Sequence, residues 1–201
     1  MFRNLLRPDS PLMITMTQLT DCIFLSLFFI LGCFPVVTAG ASFAALYDSA
    51  FRAFREGERH SWQRFLAVYK ANWKQSIAPG VVIGLLSGLL LKGMIGVWNA
   101  AVYAQISWMV FSGAAVLAVV AVGILSLAFP MLSRFDNPVG VLLKNTLFLG
   151  LANLPRTMAL GIVNTLSFYI CLRWIFPLFF LPALAALIGS LFIEPIFRPY
   201  M

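Results

Sequence analysis

A chain of 201 residues that is 61% hydrophobic and 10% charged has a mean hydropathy of +0.93. Soluble domains carry about 25% charged residues and closed β-barrels show short period-2 segments, so both classes are excluded and a polytopic helical membrane protein remains. The net charge of +7 lies between apolar runs, in the manner of positive-inside loops, which argues against a nucleic-acid surface.

The first predicted span runs from about Met16 to Val36. Arg3 and Arg7 before it and Ala39-Gly40-Ala41 after it resemble parts of a secretory signal, but the basic segment and further spans beyond favour an uncleaved helix. Pro35 ends the span, Thr38 stands where its hydroxyl would cap the next helix, and Gly40 admits a close backbone approach. Pro35, Thr38 and Gly40 therefore read as a sharp corner into a helix along the interface. A substrate-binding break in a helix is the alternative.

Residues 40–56 then place Phe43, Tyr47, Ala50, Phe51 and Phe54 on one helical face, with Asp48, Arg52, Arg55 and Glu56 opposite. After a turn at 57–60, residues 61–75 repeat the pattern: Trp62, Phe65, Leu66, Tyr69 and Trp73 against Arg64, Lys70 and Lys74. Such helices lie in the headgroup region or cap a bundle from the water side. Spans follow at about 77–98 and 106–132, then an interruption at "SRFDNP". An amphipathic segment at 139–154 leads into a span at 156–172, and a tight turn leads into the last span at 177–197. The expected fold is all-α: one membrane domain over 1–201, with about five transmembrane helices and amphipathic helices on the cytoplasmic side.

Loop charges orient it. Six basic residues lie between Arg52 and Lys74 and three between Arg134 and Arg156, whereas Asn99 to Gln105 has none. The basic segments belong inside, placing the N-terminus outside and the C-terminus in the cytoplasm of a bacterial inner membrane. Arg3 and Arg7 oppose this mildly.

Four ionisable residues stand out in or near the spans. Asp21 lies fourteen residues before Pro35 and Lys92 thirteen after Pro79, so antiparallel spans would carry both about 20 Å from the same boundary, as an ion pair. Alternatively Lys92 snorkels and Asp21 meets water. Gly80, Gly84, Gly88 and Gly96 form a small-residue row beside Lys92, suited to close helix packing. Arg156 and Glu194 are each nineteen residues from Ile175 and are expected to pair at the cytoplasmic boundary, with Arg198 as a competitor. Cys22, Cys33 and Cys171 lie in apolar runs, and the lone His60 has no acidic cluster. No catalytic constellation, metal site or cofactor site is expected, and no phosphate loop is present.

"PVVTAGASFAALY" (35–47), "FPMLSRFDNP" (129–138), "LLKN" (142–145) and "LPRT" (154–157) together resemble the YesL-like family of bacterial integral membrane proteins, over essentially the whole chain. The resemblance implies about five spans, no defined catalytic residues, and association with ATP-driven uptake of sugars and oligosaccharides. The expected role is a non-enzymatic accessory component of a carbohydrate (ABC-type) uptake system. Its expected partners are the lipid bilayer and ABC-transporter permease subunits, with a homo-oligomer left open and no nucleic acid. Arg52, Arg55, Arg64, Lys70 and Lys74 are the candidate contacts to partner or lipid. The alternative is a stand-alone small-solute transporter or channel.

Overall fold

The computed structural model describes residues 11–35, 38–57, 60–103, 107–134 and 138–197, and every regular element among them is helical. The helices are α1 (Pro11–Cys33), α2 (Ala39–Phe51, continued by a π-helical turn Arg52–Glu56), α3 (Ser61–Asn72) and α4 (Ile77–Val102). Then come α5 (Trp108–Arg134), α6 (Val139–Ala152), α7 (Leu154–Arg173), a 3-10 turn (Phe176–Phe179) and α8 (Leu181–Phe197). α1, α4 and α5 are long and apolar enough to cross a membrane; α6 and α7, bent by 107°, qualify together as a fourth, and α8 is a shorter apolar helix.

Small side chains set the centre. α2 reads AGASFAALYDSAF, and ten of its thirteen residues are buried, because Gly, Ala and Ser let neighbours close in from all sides. It touches α1, α3, α4, α5 and α8. This corrects the expectation of a surface amphipathic helix over 40–56. The apolar arc was real, but the opposite arc holds Ser42, Ala45 and Ser49, which pack, and an Asp48 whose charge is met inside the protein. α3 does keep a polar outer face: Ser61, Phe65 and Val68 are buried, while Gln63, Lys70 and, just past its end, Lys74 are exposed.

Two apolar clusters meet along α2. Ala44 and Tyr47 join Leu127, Met131, Leu142, Leu160 and Ile193, while Ala45, Leu46 and Ala50 join Leu25, Phe65 and Ala183. Aromatic rings tie the corner region to α5, with Phe43 stacked on Phe129 at 4.7 Å and edge-on to Phe29 at 4.8 Å.

The tightest helix contact is between α5 and α7. A Cβ on Gly123 would collide with the Thr157 carbonyl, and one on Gly161 with the Val119 carbonyl, so the two backbones touch. The row on α4 behaves otherwise. Gly80 meets Gly40, but Gly84, Gly88 and Gly96 have open space where a Cβ would stand. As a packing row within the chain, those three positions are corrected. α4 buries only Pro79, Ile83 and Ala101 among its 26 residues. At the α6–α7 bend, the buried Thr157 hydroxyl donates to the Gly150 carbonyl at 2.9 Å, an acceptor near the end of α6, while the Asn153 carbonyl takes the backbone N–H of Thr157 at 3.0 Å.

Candidate functional site

Charged side chains concentrate around α2, on two of its sides. Tyr47 and Asp48 are consecutive and so point about 100° apart. Asp48, buried in its residue, accepts from Arg64 Nε at 2.8 Å and Arg52 Nε at 3.4 Å, joining α2 to α3. Arg52 also reaches Glu56 at 3.5 Å. Of the five expected outward contacts, Arg52 and Arg64 therefore turn toward acids of the chain itself, while Arg55, Lys70 and Lys74 are exposed.

On the other side, Glu194 of α8 accepts from the Tyr47 hydroxyl at 2.9 Å and from both terminal nitrogens of Arg134, at 2.5 and 3.3 Å. The rings of Tyr47, Phe51 and Phe197 surround the guanidinium at 5.2 to 5.9 Å from their centroids. Both charged side chains are well shielded, at 16% and 17% exposure. Burial, reinforced by the Glu194 carboxylate, pushes the Tyr47 hydroxyl well above the ordinary phenol range, so it stays a donor. A forked pair with cation–π walls and a phenol donor is a rigid, fully matched arrangement. It ties α2, α5 and α8 together at one point.

The expected Arg156–Glu194 pair is not formed. Arg156 Nη1 donates to Asn153 Oδ1 and to the Pro195 carbonyl, each at 3.4 Å. The boundary reckoning brought Arg156 to the neighbouring residue, but Arg134 occupies the carboxylate. Spacing along two helices could not reveal this, because Arg134 comes from a third one and follows the Pro130 step within α5. The competitor Arg198 lies outside the described residues.

The expected Asp21–Lys92 pair is also absent. Asp21 Oδ1 accepts from Ser61 Oγ at 2.6 Å, at the first turn of α3, and Lys92 is exposed on α4. His60 precedes α3 at the N-cap position, has φ 72° and gives no side-chain cap. A carboxylate from α1 stands in at that positive helix end. Asp21→Asn is accordingly expected to lower stability by about 1 kcal/mol, read as an earlier unfolding midpoint in detergent. Lys92→Gln should leave that midpoint in place.

At the corner, Thr38 precedes α2 without capping it. Its hydroxyl donates to the Gly32 carbonyl at 3.0 Å and the Pro35 carbonyl at 2.9 Å, closing the end of α1 instead. This corrects the expected cap. A Cβ on Gly40 would lie 3.0 Å from the Ser76 carbonyl and 3.2 Å from Gly80 Cα, so the starts of α2 and α4 meet backbone to backbone.

Among the described residues, no group of three or more His, Cys, Asp or Glu could hold a metal, and all three cysteines are free. The charges here fasten helices together. Sequence reasoning missed Arg134, Tyr47 and Ser61. The available signal was an arginine directly after an apolar run, at the same boundary as Glu194.

No curated protein and no solved structure matches the chain. A family model described as "Protein of unknown function, DUF624" matches residues 22–94, so the chain is similar to that family from within α1, through the corner, α2 and α3, into α4.

Proposed function

We propose that the chain is a bacterial inner-membrane protein of five spans, N-terminus outside, acting as a non-enzymatic accessory component of a carbohydrate (ABC-type) uptake system. The observation that carries this reading is α4. It is apolar along its length, almost wholly unburied, and has open space beside Gly84, Gly88, Gly93 and Gly96. Lys92 stands on it, exposed and about 22 Å along the helix from Ile77. Charges at such depth pair with something, and small residues let a second helix approach closely. A permease helix bearing an acidic side chain fits both features. The sugar association comes from the YesL-like resemblance alone; the DUF624 match over residues 22–94 fits that resemblance as a family and carries no function. The buried charges support a non-transporting role, since Asp48 and Glu194 engage arginines of the same chain.

A stand-alone transporter is the second reading. The 107° break between α6 and α7 favours it, because broken helices build substrate sites in transporters.

Purification in mild detergent is expected to recover permease or ATPase subunits of a sugar-uptake system. Gly88→Leu should reduce that recovery at least ~10-fold by blocking helix approach, while leaving the protein's own stability at or slightly above the parent's, because nothing stands within 4 Å of a Cβ there and a helix favours leucine over glycine. Solute flux into liposomes holding this protein alone would overturn the accessory role in favour of the transporter.

A further inference from the structure

The outward face of α3 has a composition unlike the rest of the surface. Trp62 and the C-cap residue Trp73, itself helical at φ −58° and ψ −42°, are 42% and 43% exposed and eleven residues apart, which puts them about 20° from one line along the helix. Lys70 and Lys74 are exposed about 70° and 110° round the helix from that line, and Lys74 Nζ stands 5.6 Å over the Trp73 ring. No acidic residue occurs between Ser61 and Asn72, and the nearby Glu56 is engaged by Arg52. Among the described residues, Arg55, Lys70 and Lys74 form no ion pair.

We propose that this face binds anionic phospholipid headgroups, with α3 lying along the bilayer surface and both indoles at one depth. The proposal rests on the membrane reading above. Position supports lipid over an acidic protein segment. Residues 73–76 form a turn that joins α3 to α4, with backbone hydrogen bonds from Ser76 N to Asn72 O and from Gly80 N to Ser76 O, each 2.8 Å. Lys74 therefore stands three residues, about 5 Å, from the start of a helix long enough to cross the bilayer. That is headgroup depth, where amphipathic indoles concentrate and lysines meet negative surface potential. The inner face is fixed by Phe65 and Val68 against the core, so the helix cannot roll. The cations are spread along the helix and do not converge on a pocket, which suits many headgroups and not one acidic side chain.

The test uses the full chain in bilayers of phosphatidylcholine and phosphatidylglycerol, with Trp62 or Trp73 as the sole tryptophan and Phe at the other four. Quenching by brominated phosphatidylglycerol should exceed quenching by brominated phosphatidylcholine at both indoles. The preference should fall on the order of fivefold for each lysine removed in K70Q and K74Q, fall with added salt, and persist in Lys144→Gln. Salt dependence in the lysine-intact protein keeps the test independent of whether K70Q/K74Q folds. Equal quenching by the two lipids, or none by either because protein or water covers the face, overturns the proposal. Resistance to carbonate extraction in the same samples separates that failure from a failure of the membrane reading.

Discussion

Glu194→Gln should be among the most damaging single-atom exchanges in the chain, lowering stability by about 3 kcal/mol. The substitution keeps the shape and an acceptor for the Tyr47 hydroxyl, so packing is not at issue. It removes the negative charge facing Arg134, whose guanidinium is shielded from water by three rings and a fold that leaves 16% of the side chain exposed. A shielded cation without its counter-ion carries its desolvation cost uncompensated, which is why breaking such a pair costs more than the pair contributes. Paired replacement is the informative control. Arg134→Met with Glu194→Leu removes both charges and should recover most of the loss, whereas Arg134→Met alone should resemble Glu194→Gln. The unfolding midpoint in detergent, followed by tryptophan fluorescence, measures all four proteins. Equal stability of Glu194→Gln and the parent would show that water reaches the site and that α2, α5 and α8 are fastened by packing alone.

Helix existence was legible in the sequence because bilayer-length apolar runs and breaks at proline dominate this composition. The expected span at 77–98 lies within the helix Ile77–Val102, and the expected segment 139–154 encloses Val139–Ala152. Depth reckoning expected Arg156 at Glu194; the structure has it at the carbonyl of Pro195, the next residue, so the depth was close and the partner was not. What escaped is which face meets which. For α2, periodicity reports amphipathicity correctly and still cannot tell whether serines and alanines opposite the aromatics meet water or helices; five neighbouring helices answer that. For the glycines, a row of four on α4 is a stronger pattern than two isolated residues on α5 and α7, yet only Gly80 of the row touches another backbone, at Gly40, and the tightest contact occurs at the isolated pair. A small residue permits close approach without specifying a partner: α4 meets α2 at Gly80 and α5 around Trp98, and its other row glycines face neither.

Gly123→Ala turns that contrast into a measurement, with an expected loss of about 3 kcal/mol from one added methyl. The new Cβ would overlap the Thr157 carbonyl, which belongs to helix backbone and cannot rotate aside as a side chain would. Relief requires α5 and α7 to separate, and Gly161 lies against Val119 one turn away, so separation opens both contacts together. The displacement would spread. The buried Leu160 on α7 approaches within 3.1 Å of where a Cβ on Gly189 would sit, so α8 rests on α7 through that contact, and Glu194 is carried by α8. Gly123→Ala should therefore also loosen the Arg134–Glu194 pair, and its cost should combine less than additively with Glu194→Gln. Gly88→Ala is the counterpart on α4. With open space around it and a helix interior favouring alanine over glycine, it should be neutral or stabilising by about 0.5 kcal/mol. If Gly123→Ala instead unfolds at the parent's midpoint, α5 and α7 do not touch backbone to backbone, and the placement of α8 against α2 loses its support.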